Sequence, residues 1–192
     1  MTRGSMTRRV GLTALVGSLA SACSPLSLFA TFTPKDAARA PLQGVAYGAG
    51  PRRKLDVFAP PGATGAEPVA VFFYGGSWDS GRRGDYAWAG RAIAAQGFLT
   101  IVPDYRLYPD VTFPDFLDDC AEAVRWTVDN AAALGGDPRR VVLVGHSAGA
   151  YNAAMLALDP RYLTAVGIDP KVVRAFAGLS GPYDFLPLDG PV

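Results

Sequence analysis

The stretch "RRVVLVGHSAGAYNAAML", residues 139–156, joins a hydrophobic run to a run of small residues through a serine that has glycine two positions away on either side. The first half is typical of a buried strand and the second half of a helix, so Ser147 is predicted to lie on the sharp turn between them. Side chains in place of Gly145 and Gly149 would collide with neighbouring backbone, and such a turn lifts the serine hydroxyl above the sheet. The pattern predicts a nucleophilic Ser147; the alternative is a glycine-rich turn of purely structural use.

Apolar runs and amphipathic stretches alternate along most of the chain. Strands are predicted at 54–60, 68–76, 98–105, 137–145 and 172–180, and helices at 85–97, 113–136 and 148–158. This alternation predicts an α/β fold with a mostly parallel, doubly wound sheet. The segments "YGGSW" (74–78) and "GHSAG" (145–149) both follow strands, so they are expected at the same edge of the sheet, where such folds bind ligands.

Consecutive glycines in "FFYGGSW" (72–78) let backbone N–H groups approach a substrate oxygen closely. The N–H groups of Gly75 or Gly76, together with that of Ala148, are therefore predicted to form an oxyanion hole beside Ser147. A plain turn is the alternative for the two glycines taken alone. Three nearby side chains are candidates to line the pocket: Tyr74, Trp78 and His146.

Composition narrows the class of protein. The 192 residues suggest one domain, 49% of them are hydrophobic, and the net charge is +1 without a basic stripe, so no nucleic-acid partner is predicted. There are two cysteines, which imply neither a disulfide framework nor a metal site, and no cofactor or metal is predicted. Cys120 falls on the apolar face of the helix at 113–136 and is interpreted as a small core residue.

The first residues are predicted to be a targeting segment rather than part of the fold. A basic start precedes the apolar run "VGLTALVGSLA" (10–20), which is the length of a signal-peptide core, and "ASAC" (20–23) follows. Residues 1–22 are therefore predicted to be a signal peptide, 23–43 a tether and 44–192 the folded domain. Cleavage before Cys23 would leave a lipidated cysteine, although Ala20 stands where a lipobox usually has leucine, and simple secretion is the alternative. A bacterial exported protein is expected, periplasmic and membrane-anchored as a lipoprotein, or secreted; a buried N-terminal helix is the other interpretation.

Four segments occur in the order typical of a known family: "VFFYGGSW" (71–78), "VPDYRLYPDVTFP" (102–114), "GHSAGA" (145–150) and "LSGPYDF" (179–185). The chain resembles the α/β-hydrolase carboxylesterases of the hormone-sensitive-lipase-like and feruloyl-esterase-like groups, over about residues 44–187. The resemblance implies an α/β-hydrolase fold and a serine esterase that acts on a small-molecule ester through an acyl-enzyme on Ser147. It does not specify the acyl or alcohol group, nor an oligomeric state.

The chain departs from the family pattern at Tyr74, where most relatives carry a loop-holding histidine, and the tyrosine is interpreted as a tolerated variant. Asp104 and Arg106 in "PDYRL" are expected to fix the loop through an ion pair or a hydrogen-bonded turn. Asp184 is a weaker candidate for the acid of a catalytic triad, because the family's acid comes after a further strand.

The chain has one histidine, His146, next to Ser147, and none follows the serine. In this fold the base histidine comes last in the chain, after the serine and the acid. Adjacent side chains on such a turn diverge, so His146 is interpreted as turn packing. We therefore expect a C-terminally truncated α/β hydrolase, lacking its last strands, that is nearly inactive alone and leaves 172–180 as an exposed apolar sheet edge. The alternatives are a non-catalytic pseudo-hydrolase that binds ligands, or a parent arylformamidase- or peptidase-type amide hydrolase.

Overall fold

The computed structural model describes Thr33 and residues 36–184. The chain divides into two units, Met1–Thr33 and Pro34–Val192. The predicted signal peptide, Cys23 and most of the predicted tether lie outside the described residues. Among the described residues, no helix has both the length and the apolar character needed to cross a membrane.

The core of the second unit is a six-stranded sheet with the strand order β1-β2-β4-β3-β5-β6. Its strands are β1 Arg39–Ala46, β2 Lys54–Ala59, β3 Glu67–Phe73, β4 Leu99–Pro103, β5 Gly136–His146 and β6 Val173–Leu179. β1 and β4 both pair antiparallel with β2, whereas the pairs β4–β3, β3–β5 and β5–β6 are parallel. The predicted mostly parallel α/β sheet is confirmed.

Four α-helices are present in the described part of the chain: α1 Ala87–Ala95, α2 Asp115–Ala131, α3 Ala148–Leu158 and α4 Pro160–Ala165. Short 3-10 turns lie at Arg83–Tyr86, Ala132–Leu134 and Pro170–Val172. α1 packs on β2 and β4. α2 and α3 pack on each other, α2 also on β3, β4 and β5, and α3 on β3, β5 and the edge strand β6. The apolar face predicted for α2 is buried, namely Phe116, Cys120, Ala123 and Val124.

The sequence of the central strand β3 lacks the alternation of apolar and polar residues that is typical of a half-exposed strand. Val69, Val71 and Phe73 in β3 are fully buried, and so is the intervening Ala70. Parallel strands covered on both faces need apolar side chains at successive positions. This buried centre holds the C-terminal ends of β3 and β5 side by side, with Phe73 in register with Gly145.

The two edges of the sheet differ from its centre. β1 begins at Arg39, so residues 39–43, which the sequence assigns to the tether, belong to the sheet. At the other edge, every residue of β6 after Val173 is exposed, and Phe176 and Leu179 are 37% and 53% exposed. The exposed apolar edge predicted for 172–180 is thus confirmed in the described residues.

Candidate active site

Ser147 lies on a strained turn between β5 and α3. Its backbone has φ +52° and ψ −123°, a conformation that non-glycine residues rarely adopt. The Ser147 N–H donates to the Leu179 carbonyl oxygen of β6 over 2.8 Å, and α3 begins at the next residue. The predicted order of strand, turn and helix is therefore present, and the surrounding hydrogen bonds hold the strained conformation.

The two flanking glycines allow this turn to pack against its neighbours. A Cβ on Gly145 would overlap the carbonyl of Gly149, and a Cβ on Gly149 would overlap the carbonyl oxygens of Phe73 and Tyr74. These atoms belong to backbone and cannot rotate away. Glycine is required at Gly145 because the start of α3 lies on the backbone at the end of β5, and at Gly149 because α3 and the end of β3 approach each other backbone to backbone.

The loop after β3 lies directly on the serine turn. A Cβ on Gly75 would come within 2.7 Å of the Ser147 Cβ and 3.0 Å of the His146 Nδ1 atom. The loop then continues with three successive positive φ angles, +132° at Gly76, +50° at Ser77 and +59° at Trp78. The structure thus brings the two predicted segments together at one edge of the sheet.

The backbone N–H groups near Ser147 differ in whether they already contact a polar group of the protein. The Gly75 N–H contacts the Tyr86 hydroxyl; burial raises the pKa of that hydroxyl, and the contact with Gly75 lowers it by less. The N–H groups of Gly76 and Ala148 make no backbone hydrogen bond with another described residue. The N–H groups of Gly76 and Ala148 are therefore available to donate to a ligand, whereas that of Gly75 faces the Tyr86 hydroxyl.

Trp78 anchors the loop to the helices. Its side chain is 9% exposed, stacks on Phe116 of α2 at 5.6 Å and meets Tyr151 of α3 edge-on. Its indole N–H donates to Asn152 Oδ1 over 2.8 Å. Trp78 therefore packs the loop rather than presenting a large surface to a pocket.

Cys120 closes the same buried cluster. The Asn152 amide donates to the Cys120 Sγ atom over 3.6 Å, and the thiol is fully buried. Burial raises the pKa of the Cys120 thiol well above its ordinary value, which disfavours the reactive thiolate. The interpretation of Cys120 as a core residue is confirmed.

Tyr74 occupies the histidine position of the family pattern and is fully buried. Its ring stacks on Tyr105 at 4.7 Å, and its hydroxyl accepts a hydrogen bond of 3.0 Å from the Arg52 guanidinium. Arg52 also donates to the carbonyl oxygens of Tyr105 and Gly81. The guanidinium thus joins three segments behind the loop, a role that the sequence did not reveal because Arg52 lies in the polar turn "PRRK" with no motif around it.

His146 is half-buried, and its ring faces Tyr86, the last residue of the 3-10 turn that precedes α1. Its Nδ1 atom lies 3.0 Å from the Tyr86 hydroxyl, and the two rings are 5.8 Å apart. The partner of the single histidine is therefore a tyrosine, and the described residues place no carboxylate in hydrogen-bond contact with this ring.

Asp104 and Arg106 both form ion pairs, each with a residue from another segment. Asp104 accepts from the Arg83 guanidinium and from the Arg83 N–H, and Arg106 binds Asp119 of α2 through two bonds of 2.8 Å. The predicted loop-fixing role of both residues is confirmed. Asp184 is exposed and makes no hydrogen bond or ion pair with another described residue, and its candidacy as triad acid stays a prediction.

The substitution Gly149→Ala is expected to destabilise the protein by about 3 kcal/mol, because the new methyl group would force α3 away from β3. Urea unfolding followed by tryptophan fluorescence measures the loss. Gly84→Ala is the matched control, since a Cβ added there would have nothing within 4 Å, and a change of less than about 0.5 kcal/mol is expected. Equal stabilities of the two variants would contradict the close approach at Gly149.

Comparison with known proteins agrees with this geometry. The BD-FAE family model matches residues 55–190. A probable isoprenylcysteine alpha-carbonyl methylesterase of Oryza sativa subsp. japonica is 37% identical over 151 residues, 76% of this chain and 36% of that protein. The carboxylesterase NlhH of Mycobacterium tuberculosis is 40% identical over 103 residues, 53% of this chain and 32% of that protein.

The chain also resembles a solved structure in its fold. Esterase B from Lactobacillus rhamnosis superposes with a TM-score of 0.72 at 20% identity, covering 88% of this chain and 56% of that one. The chain spans about a third of the length of the curated relatives named above. The family model covers the sheet from β2 to β6 and both glycine-rich segments. The chain belongs to the BD-FAE family of carboxylesterase-type α/β hydrolases.

Proposed function

We propose that this chain supplies the nucleophile and the oxyanion hole of a carboxylic-ester hydrolase that works through an acyl-enzyme on Ser147. The observation that carries the proposal is the strained Ser147, at φ +52° and ψ −123°, packed against the Gly75 backbone and followed directly by Ala148, the first residue of α3. Strain at a serine between a strand and a helix, held by the surrounding fold, is typical of a site where a hydroxyl must stand clear of the backbone.

The reaction follows from these groups. The Ser147 Oγ atom attacks the carbonyl carbon of an ester, its proton passes to a base, and the carbonyl oxygen becomes an oxyanion. The N–H groups of Gly76 and Ala148 then donate to that oxyanion, and such donors are each worth about 3 kcal/mol in the transition state. Collapse of this tetrahedral intermediate expels the alcohol, which takes up the proton held by the base. Water then hydrolyses the acyl-serine to release the acid.

His146 does not suit the role of base. Its Nδ1 atom is paired with Tyr86, and a base must reach the serine hydroxyl while a third group orients it. The 192 residues contain no second histidine. We therefore assign the nucleophile and oxyanion donors, but not the base, to residues of this chain.

Esters are placed ahead of amides as the substrate class. The relatives that match the chain include a methylesterase and a carboxylesterase, and both names specify ester cleavage. An alcohol or phenol is also a better leaving group than an amine, so the unaided serine of this chain is better suited to an activated ester. The amide-hydrolase alternative has no observation of its own in the described residues.

Acetyl transfer tests the proposal without requiring full turnover. Incubation with p-nitrophenyl acetate is expected to add one acetyl group per chain at Ser147, because hydrolysis of the acyl-serine also needs a base and is slow without one. Intact-mass and peptide mass spectrometry locate the group. The Ser147→Ala variant is expected to carry none at that peptide. An unmodified Ser147 in the native chain after prolonged incubation would contradict the proposal.

A further inference from the structure

The hydroxyl of Tyr86 lies between the loop after β3 and the serine turn. It is 3.0 Å from His146 Nδ1 and contacts the Gly75 N–H. The Tyr86 ring is held on three sides, by Phe72 at 5.6 Å, Tyr74 at 5.8 Å and Trp88 at 6.3 Å. Because Tyr86 is only 4% exposed, its hydroxyl has little access to water as an alternative hydrogen-bond partner.

The direction of these hydrogen bonds follows from their donors. A backbone N–H can only donate, so the Tyr86 oxygen accepts from Gly75. Among the described residues, His146 Nδ1 is the one atom within hydrogen-bond distance that can accept from the Tyr86 hydroxyl. A protonated Nδ1 would leave the hydrogen of this buried hydroxyl without an acceptor, so Nδ1 accepts it with a lone pair. A neutral imidazole that accepts at Nδ1 carries its proton on Nε2. The contacts therefore fix one tautomer of the histidine and leave neither ring nitrogen available to take a proton from Ser147.

This arrangement connects the loop after β3 to the serine turn, and the distance between these two segments sets the distance from the oxyanion donors to Ser147. Gly75 precedes the proposed oxyanion donor Gly76, and His146 precedes Ser147. A Cβ on Gly75 would sit 2.7 Å from Ser147 Cβ, so the two segments are already in contact. A shift of the loop by a fraction of an ångström would move the Gly76 N–H relative to the oxyanion.

We propose that Tyr86 is a positioning residue for acyl transfer: its hydroxyl donates a hydrogen bond to His146 Nδ1 and contacts the backbone of Gly75, which packs against Ser147, and together these interactions form a relay between the loop and the serine turn. The relay holds the oxyanion donors at a fixed distance from Ser147. The proposal rests on the proposed function for its catalytic consequence, whereas the relay itself is a statement about the folded chain.

Because His146 is the only histidine, its ring nitrogens give one set of signals in a 15N-labelled sample. Long-range proton–nitrogen correlation spectra in mildly alkaline buffer are expected to show an unprotonated, hydrogen-bonded Nδ1 and a protonated Nε2. In Tyr86→Phe, which keeps the stacked ring and removes the hydroxyl, a mixture of both tautomers is expected. Tyr162→Phe is the matched control and should leave the spectrum unchanged.

The same variants are compared in the acetylation of Ser147 by p-nitrophenyl acetate. Tyr86→Phe is expected to slow acetylation about tenfold at saturating ester, with the half-saturating ester concentration unchanged, because one hydrogen bond that places the donors is lost. Tyr162→Phe should acetylate at the native rate. A merely structural role for Tyr86 would leave the tautomer of His146 unaffected.

Two results would overturn the proposal: a proton on Nδ1 in the native chain, or a Tyr86→Phe variant with the native tautomer and the native acetylation rate. Failure of the proposed function looks different. In that case the native chain is not acetylated at Ser147 at all, while the spectra still report whether the relay exists.

Discussion

Imidazole added to the purified chain is expected to raise the hydrolysis of p-nitrophenyl acetate through Ser147, whereas without imidazole the rate stays near the buffer background. The reason is the engagement of His146 with Tyr86, which leaves the serine without a base among the described residues. Catalytic triad members act as a unit that is worth about 10⁶-fold in one well-studied protease. A diffusible imidazole restores proton transfer but not its positioning, so a gain of about tenfold in the Ser147-dependent rate is expected.

Release of p-nitrophenolate is measured over a series of imidazole concentrations, with Ser147→Ala under the same conditions as the reference. Imidazole itself cleaves this ester, so the difference between the two proteins is the relevant quantity. A robust native rate without imidazole that is lost in Ser147→Ala would show that a base is already present and would contradict the exclusion of His146. No Ser147-dependent rate at any imidazole concentration would favour the non-catalytic binding module.

The sequence was most informative where structure follows from local pattern. The strand and helix that flank Ser147 were predicted within a residue, because a continuous apolar run and a run of small apolar residues with a glycine between them leave few alternatives. The edge strand β1 was missed, because "RAPLQGVA" contains a proline and a glycine and its residues are exposed or half-buried. The short helix α4 was missed as well, although Asp159 followed by Pro160 is a recognisable helix start.

Contacts between distant segments account for what could not be predicted at the site. Tyr86 and His146 are 60 positions apart, and Arg52 and Tyr74 are 22 apart. In each pair one partner lies outside any motif, and only the folded sheet brings the two together. The sequence did predict that Asp104 and Arg106 fix a loop, but their partners Arg83 and Asp119 depend on how α2 and the loop before α1 pack.

Asp119→Ala is expected to destabilise the protein by about 3 kcal/mol. The Asp119 carboxylate is fully buried and accepts from the Arg106 guanidinium through two bonds of 2.8 Å and from the Arg106 N–H over 2.9 Å. Its Oδ1 atom also lies 3.4 Å from the Arg53 guanidinium. Removal of one member of a buried ion pair costs about 3–5 kcal/mol, and the lower value applies because the Arg106 side chain is 39% exposed and can regain water.

Asp118→Ala, one position earlier in α2, is the matched control for the loss of a carboxylate. Burial, and then the neighbouring Asp115 and Asp119 carboxylates, raise the pKa of Asp118, so its charge is disfavoured where it stands. Removing that charge should leave the free energy of unfolding within about 0.5 kcal/mol of the native value, or raise it slightly. Urea unfolding curves give both values. A loss for Asp119→Ala no larger than that for Asp118→Ala would mean that water, rather than Asp119, satisfies the arginines that hold the loop after β4 in place.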